Sequence, residues 1–81
     1  MGQKLARYFK RSFEDYEVWV KVEEAQWAGT ELIVHPDGLV ERTELTFDEE
    51  IYEDLAEDAF EEASALAFQL LEAKSVPARE E

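Results

Sequence analysis

Residues Thr46 to Lys74 read TFDEEIYEDLAEDAFEEASALAFQLLEAK, and the conformation of this stretch decides the architecture. Its opening, Thr46-Phe47-Asp48-Glu49, has the Thr-x-x-Glu form in which two side chains satisfy backbone N–H groups at the start of a helix. From there Ile51, Tyr52, Leu55, Ala56, Ala59, Phe60, Ala63, Leu66, Ala67, Leu70 and Leu71 recur at helical spacing, which lines one face of a 3.6-residue period. No Gly or Pro interrupts the pattern before Pro77. The spacing predicts one long helix from Thr46 to Lys74.

The opposite face of that helix is acidic. Asp48 to Glu62 holds nine acids and no base. On a continuous helix Glu49/Glu53, Glu50/Asp54, Glu53/Glu57, Asp54/Asp58, Glu57/Glu61 and Asp58/Glu62 are like-charge pairs at four-residue spacing, each costing about 0.2 to 0.5 kcal/mol. The charge density along such a rod is roughly one per 2.5 Å, between the values of about 3.4 Å for one DNA strand and about 1.7 Å for the duplex. A row of this kind competes for the Lys and Arg that hold nucleic acid. Past Glu62 the run Ser64-Ala65-Leu66-Ala67-Phe68-Gln69-Leu70-Leu71 is apolar nearly all round. Phe68 falls roughly 160° from the middle of the core stripe at about 100° per residue, so a second surface is expected to cover it.

Working outward, Tyr16 to Val22 alternates Tyr16, Val18, Val20 and Val22 with Glu17, Trp19 and Lys21, the period of a strand with one buried face. Thr30 to His35 reads as a second strand and Leu39 to Leu45 as a third. Between them Pro36-Asp37-Gly38 has turn chemistry: Pro presets φ, Asp bonds nearby backbone and Gly takes the left-handed position. Lys4 to Phe13 spaces Leu5, Tyr8, Phe9 and Phe13 among four bases and suits a short amphipathic helix, with an extended strand as the alternative for Tyr8 to Phe13. The expected fold is α+β: a short N-terminal helix, a three-stranded antiparallel sheet with a hairpin turn at Pro36–Gly38, and the long acidic C-terminal helix packed on the sheet. Residues 1–75 are expected to form the single domain, with 76–81 a frayed tail. The second sheet face, with Trp19 and some combination of Ile33, His35 and Leu39, is more apolar than a solvated face, and the first helix or a second subunit is expected over it.

Composition bounds the function. The chain has 81 residues, 46% of them hydrophobic, no cysteine and a formal charge of −13. It is large enough for one small core and has no thiolate for a disulfide or a metal site. Lys4, Arg7, Lys10 and Arg11 occupy a segment that precedes the first acid, Glu14, and the rest of the chain is strongly negative. This field repels nucleic acid and anionic membrane and attracts basic surfaces, so neither direct nucleic-acid binding nor membrane binding is expected. No apolar run approaches the ~18 residues of a bilayer span, and a cytoplasmic location is expected. His35 with Asp37 and Glu41 is the one cluster resembling a catalytic or ligand set, and it lies on a turn without nucleophile or phosphate-loop motifs. No enzyme activity, cofactor or specific metal site is expected.

Two readings follow. In the first, the protein docks on a basic protein surface, such as that of a nucleic-acid-binding protein, through Glu50, Glu53, Asp54, Glu57, Asp58 and Glu61, and acts as a nucleic-acid-mimic inhibitor. In the second it is a structural homo-oligomer, a weak homodimer whose apolar contacts are Trp19, Trp27 and Phe68, with the acids only solvating it.

Overall fold

A computed structural model of the chain describes residues 6–78. Its element order is β1 (Ala6–Ser12), β2 (Glu17–Glu23), β3 (Ala28–Val34), β4 (Val40–Thr46), α1 (Ile51–Glu57), β5 (Glu61–Glu62), α2 (Ala65–Ala73) and β6 (Val76–Pro77). These make a six-stranded mixed sheet in the order β5-β1-β2-β3-β4-β6. Strands β1 to β4 form an antiparallel meander, β5 pairs antiparallel with β1, and β6 pairs parallel with β4. The expected three-stranded sheet with one long helix is therefore wrong, and so is the expected N-terminal helix.

The N-terminal segment is a strand because both of its faces are covered. Phe9 opposes Val20, whereas Tyr8 opposes Lys21 and Lys10 opposes Trp19. Phe9 joins a cluster with Val18, Val20, Val22 and Leu55, while Tyr8 packs with Trp19, Leu32, Val40 and Phe68 on the other side. With aromatics on both faces, the strand shows no simple apolar-polar alternation, and its adjacent Tyr8 and Phe9 imitate a helical stripe. Lys4 and Leu5 of the expected helix lie outside the described residues.

The long helix breaks at Ala59. Helix α1 ends in a Schellman arrangement: the Ala59 N–H donates to the Ala56 carbonyl at 3.1 Å and the Phe60 N–H to the Leu55 carbonyl at 3.0 Å. Leu55 and Phe60 both pack into the first core cluster, the hydrophobic contact that accompanies this motif. Ala59 adopts φ 64°, a left-handed position that Gly usually fills. The break also removes the Glu57/Glu61 and Asp58/Glu62 repulsions of a continuous helix. The start shifts as well: Thr46 ends β4, and Asp48 forms the entry turn by accepting the Glu50 N–H on Oδ1 at 3.0 Å. Ser64 caps α2, its Oγ accepting the Ala67 N–H at 3.1 Å, as expected of a good N-cap residue.

The chain thus wraps the meander. Helix α1 covers the Val18, Val20 and Val22 face, β5 passes the β1 edge, and α2 lies on the Trp19 and Leu32 face in contact with both β1 and β4. The second face is therefore covered by the chain's own α2, in place of the N-terminal helix or second subunit expected there. Arg42 secures the end of the wrap by donating from Nη1 to the Ser75 Oγ at 2.7 Å. At the hairpin, Gly38 takes φ 95° and the His35 N–H donates to the Leu39 carbonyl at 2.8 Å. Gly29 is required for a different reason: a Cβ there would overlap the Lys21 carbonyl oxygen and lie 2.7 Å from the Phe47 ring. Val76 and Pro77, expected in the tail, pair with Glu41 and Arg42, and residues 79–81 of that tail lie outside the described ones.

Candidate functional site

The acidic run folds into a compact surface around α1. Glu50 is its N-cap residue, Glu53 and Asp54 lie in its first turn, and Asp58 is its C-cap residue. Leu55 is buried and Ile51 and Tyr52 are half-buried against the sheet, while Asp48, Glu49, Glu50, Glu53, Asp54, Glu57 and Asp58 are all exposed. The apolar residues point inward because only one stripe of so short a helix can reach the core. None of these seven carboxylates forms an ion pair among the described residues. Glu61 is exposed in β5 opposite Lys10, away from the helix. Five of the six expected acidic contact residues are thus gathered on α1 and its caps, and Glu61 stands on the sheet edge.

Part of the acidic run is engaged inside the chain. Arg7 Nη2 meets Glu62 Oε2 at 3.0 Å, and Arg11 Nη1 donates to the Asp58 carbonyl. The Arg7 guanidinium also lies over the Phe9 and Tyr52 rings, at 5.2 and 4.7 Å from their centroids. Its hydrogen bond to Glu62 holds its pKa above the ordinary value despite some desolvation, the direction expected for a cation with a close anion. Arg7 and Arg11 therefore fix the crossover between α1 and α2. Their place beside the acidic run is not readable from a segment whose spacing suits a helix.

The apolar candidates have other positions. Trp19 is 6% exposed and Phe68 0%, so both belong to the core beneath α2 and present no surface to a second chain. Phe68 is inward because α2 is a separate helix, and an angular count carried through the break at Ala59 loses its meaning. Trp27 is half-buried at φ 48° and meets Tyr52 edge-on with centroids 6.1 Å apart. The apolar surface that α2 does present is Leu66 and Leu70, each 65% exposed.

Charge is segregated across the sheet. The registers place Lys10, Lys21 and Arg42 on the α2 side, and Lys74 caps that helix. Against them stand Glu17, Glu23 and Glu44 from the same strand faces and Glu72 of α2 itself. Glu61 also stands on this side, beside Lys10, so four bases meet five acids and the side is close to neutral. On the α1 side, Arg7 and Arg11 face the carboxylates of the helix and of Glu31, Glu41 and Glu62, so most of the net negative charge lies on that side.

Elsewhere the polar groups satisfy one another. His35 Nε2 lies 2.8 Å from Glu41 Oε1, whereas Asp37 Oδ1 accepts the Leu39 N–H at 3.0 Å and so serves the turn. A shallow recess of about 710 Å³ on the α2 side is lined in part by Lys21, Glu23, Thr30, Glu44 and Glu72. Within it the buried Thr30 hydroxyl donates to Glu44 at 3.0 Å and Lys21 lies 3.6 Å from Glu23. Among the described residues no group of three or more His, Cys, Asp or Glu is placed to hold a metal ion, and no helix is long and apolar enough to cross a membrane. No known family, curated protein or solved structure matches this chain.

Proposed function

We propose that the protein is a non-enzymatic binding domain whose α1 surface docks on a basic protein surface. The observation that carries this reading is the set of exposed carboxylates from Asp48 to Asp58, without ion pairs among the described residues and concentrated on one side of a sheet whose other side is close to neutral. A field focused in this way steers a cationic partner and orients its approach. The regular row of charges that would imitate a phosphate backbone needed a continuous helix. With α1 only seven residues long, the support lies in a dense patch, and a nucleic-acid-binding protein remains the partner class with suitable Lys and Arg surfaces. A cytoplasmic setting fits a chain that contains no cysteine and needs no oxidising compartment.

Replacing Glu53, Asp54 and Glu57 by Gln, Asn and Gln tests this, because all three are exposed on α1 and touch no base among the described residues. The variant is expected to fold with equal or higher thermal stability, since like-charge repulsion falls. Proteins captured from a lysate by the parent at low salt and released at high salt are expected to bind the variant about tenfold more weakly, with a shallower salt slope. Equal affinity for parent and variant would refute the reading.

A further inference from the structure

The outward face of α2 carries the two most exposed large apolar side chains among the described residues. Leu66 and Leu70 stand one turn apart, each 65% exposed, with exposed Gln69 and Ala73 beside them. From Ser64 to Leu71 there is no ionisable residue. Exposed leucines at i and i+4 form a ridge, and in this helix that ridge is not spent on the core, because Phe68 fills the inward position.

We propose that this ridge is a self-association surface, and that its occupant is the same ridge of a second copy, with the two α2 helices antiparallel about a twofold axis. The pairing is self-complementary: Leu66 of one copy meets Leu70 of the other, and the reverse contact follows from the symmetry. Charge selects a second copy over a basic partner. A cationic protein is drawn to the α1 side, whereas another molecule of net charge −13 can approach closely only where bases and acids nearly cancel, as they do around α2. The molecule measures 38 × 29 × 28 Å, so copies joined through α2 hold their acidic sides several Debye lengths apart at physiological salt, where that length is about 8 Å. Helix α2 has nine residues and is about 13 Å long. It cannot cover the ~800 Å² that each partner contributes to a standard interface, so the dimer is weak and reversible.

Sedimentation equilibrium of the parent chain from about 10 µM to 1 mM, at 10 and 150 mM salt, tests the proposal. A concentration-dependent dimer is expected that tightens at least threefold on raising the salt, because the Debye length falls from about 30 to 8 Å. That is opposite in sign to the salt effect on docking through α1, so either reading can fail without the other. The double variant Leu66→Gln, Leu70→Gln is expected to stay monomeric with an unchanged circular dichroism spectrum and melting temperature, since neither leucine supports the core. Concentration-dependent amide shifts of the parent are expected to map to Ala65–Ala73. A monomer throughout, a dimer that survives the double variant, one that weakens with salt, or shifts that map to α1 would each overturn the proposal. So would a monomer whose leucine variants lose a basic partner, which would assign the ridge to that partner.

Discussion

Tyr52 joins three interactions at one ring. It packs against Phe9 and Trp27, lies under the Arg7 guanidinium, and donates its hydroxyl to Glu24 Oε2 at 2.7 Å. Burial raises its pKa above the ordinary value of 10.0, and the hydrogen bond to Glu24 adds in the same direction. A phenol with a raised folded-state pKa binds its proton more tightly in the fold than in the unfolded chain. Its contribution is therefore fully present below the unfolded value and is lost as pH rises through the folded one. Tyr52→Phe is expected to lower stability at neutral pH by about 0.5 to 1 kcal/mol, at the low end for a hydrogen bond because the pair is screened by solvent. The gap between parent and variant should close above pH ~10, measured as melting temperature against pH; a gap that stays constant into alkaline solution would show that the hydroxyl contributes nothing through its proton.

At the scale of elements, the break between α1 and β5 gives the clearest case of what the sequence conceals. Strand β2 was legible because Val18, Val20 and Val22 alternate with Glu17, Trp19 and Lys21, and the β3–β4 turn because Pro36-Asp37-Gly38 can do little else. The end of α1 was not, because its left-handed position holds Ala59 rather than Gly, and Leu55 and Phe60, whose contact closes the motif, also fit a continuous helical stripe. Ser64, the N-cap of α2, was the overlooked signal. Of the candidate site, the exposure of the acids could be read from their helical spacing, while their grouping on a seven-residue helix depended on the unread break. Ala59→Gly removes the steric penalty of a Cβ at positive φ, about 1 to 2 kcal/mol, against a larger entropy loss on folding of about 0.5 to 1 kcal/mol. It is expected to stabilise the domain by roughly 0.5 to 1 kcal/mol in chemical denaturation. A destabilised variant would mean that Ala59 does not hold the left-handed conformation in solution.

For the whole molecule, the meander has two apolar faces and each is closed by a different helix. A chain ending at Ala63 retains β1 to β5 and α1 but loses the cover over Trp19, Leu32 and Val40. It is expected to show no cooperative thermal transition, since an uncovered apolar sheet face in so small a domain leaves too little burial to offset chain entropy. A cooperative transition near that of the parent would show that α2 is dispensable. The wrap also has a consequence for synthesis. All four long strands are made before the segment from Ser64 to Ala78 that closes the second face, and at about 5 to 20 residues per second the ribosome takes roughly 1 to 3 s to make that segment. During those seconds the nascent sheet lacks its cover over Trp19, Leu32 and Val40. Closure of the second face therefore waits on a segment made after all four long strands, and until then the order of synthesis leaves half of the core open.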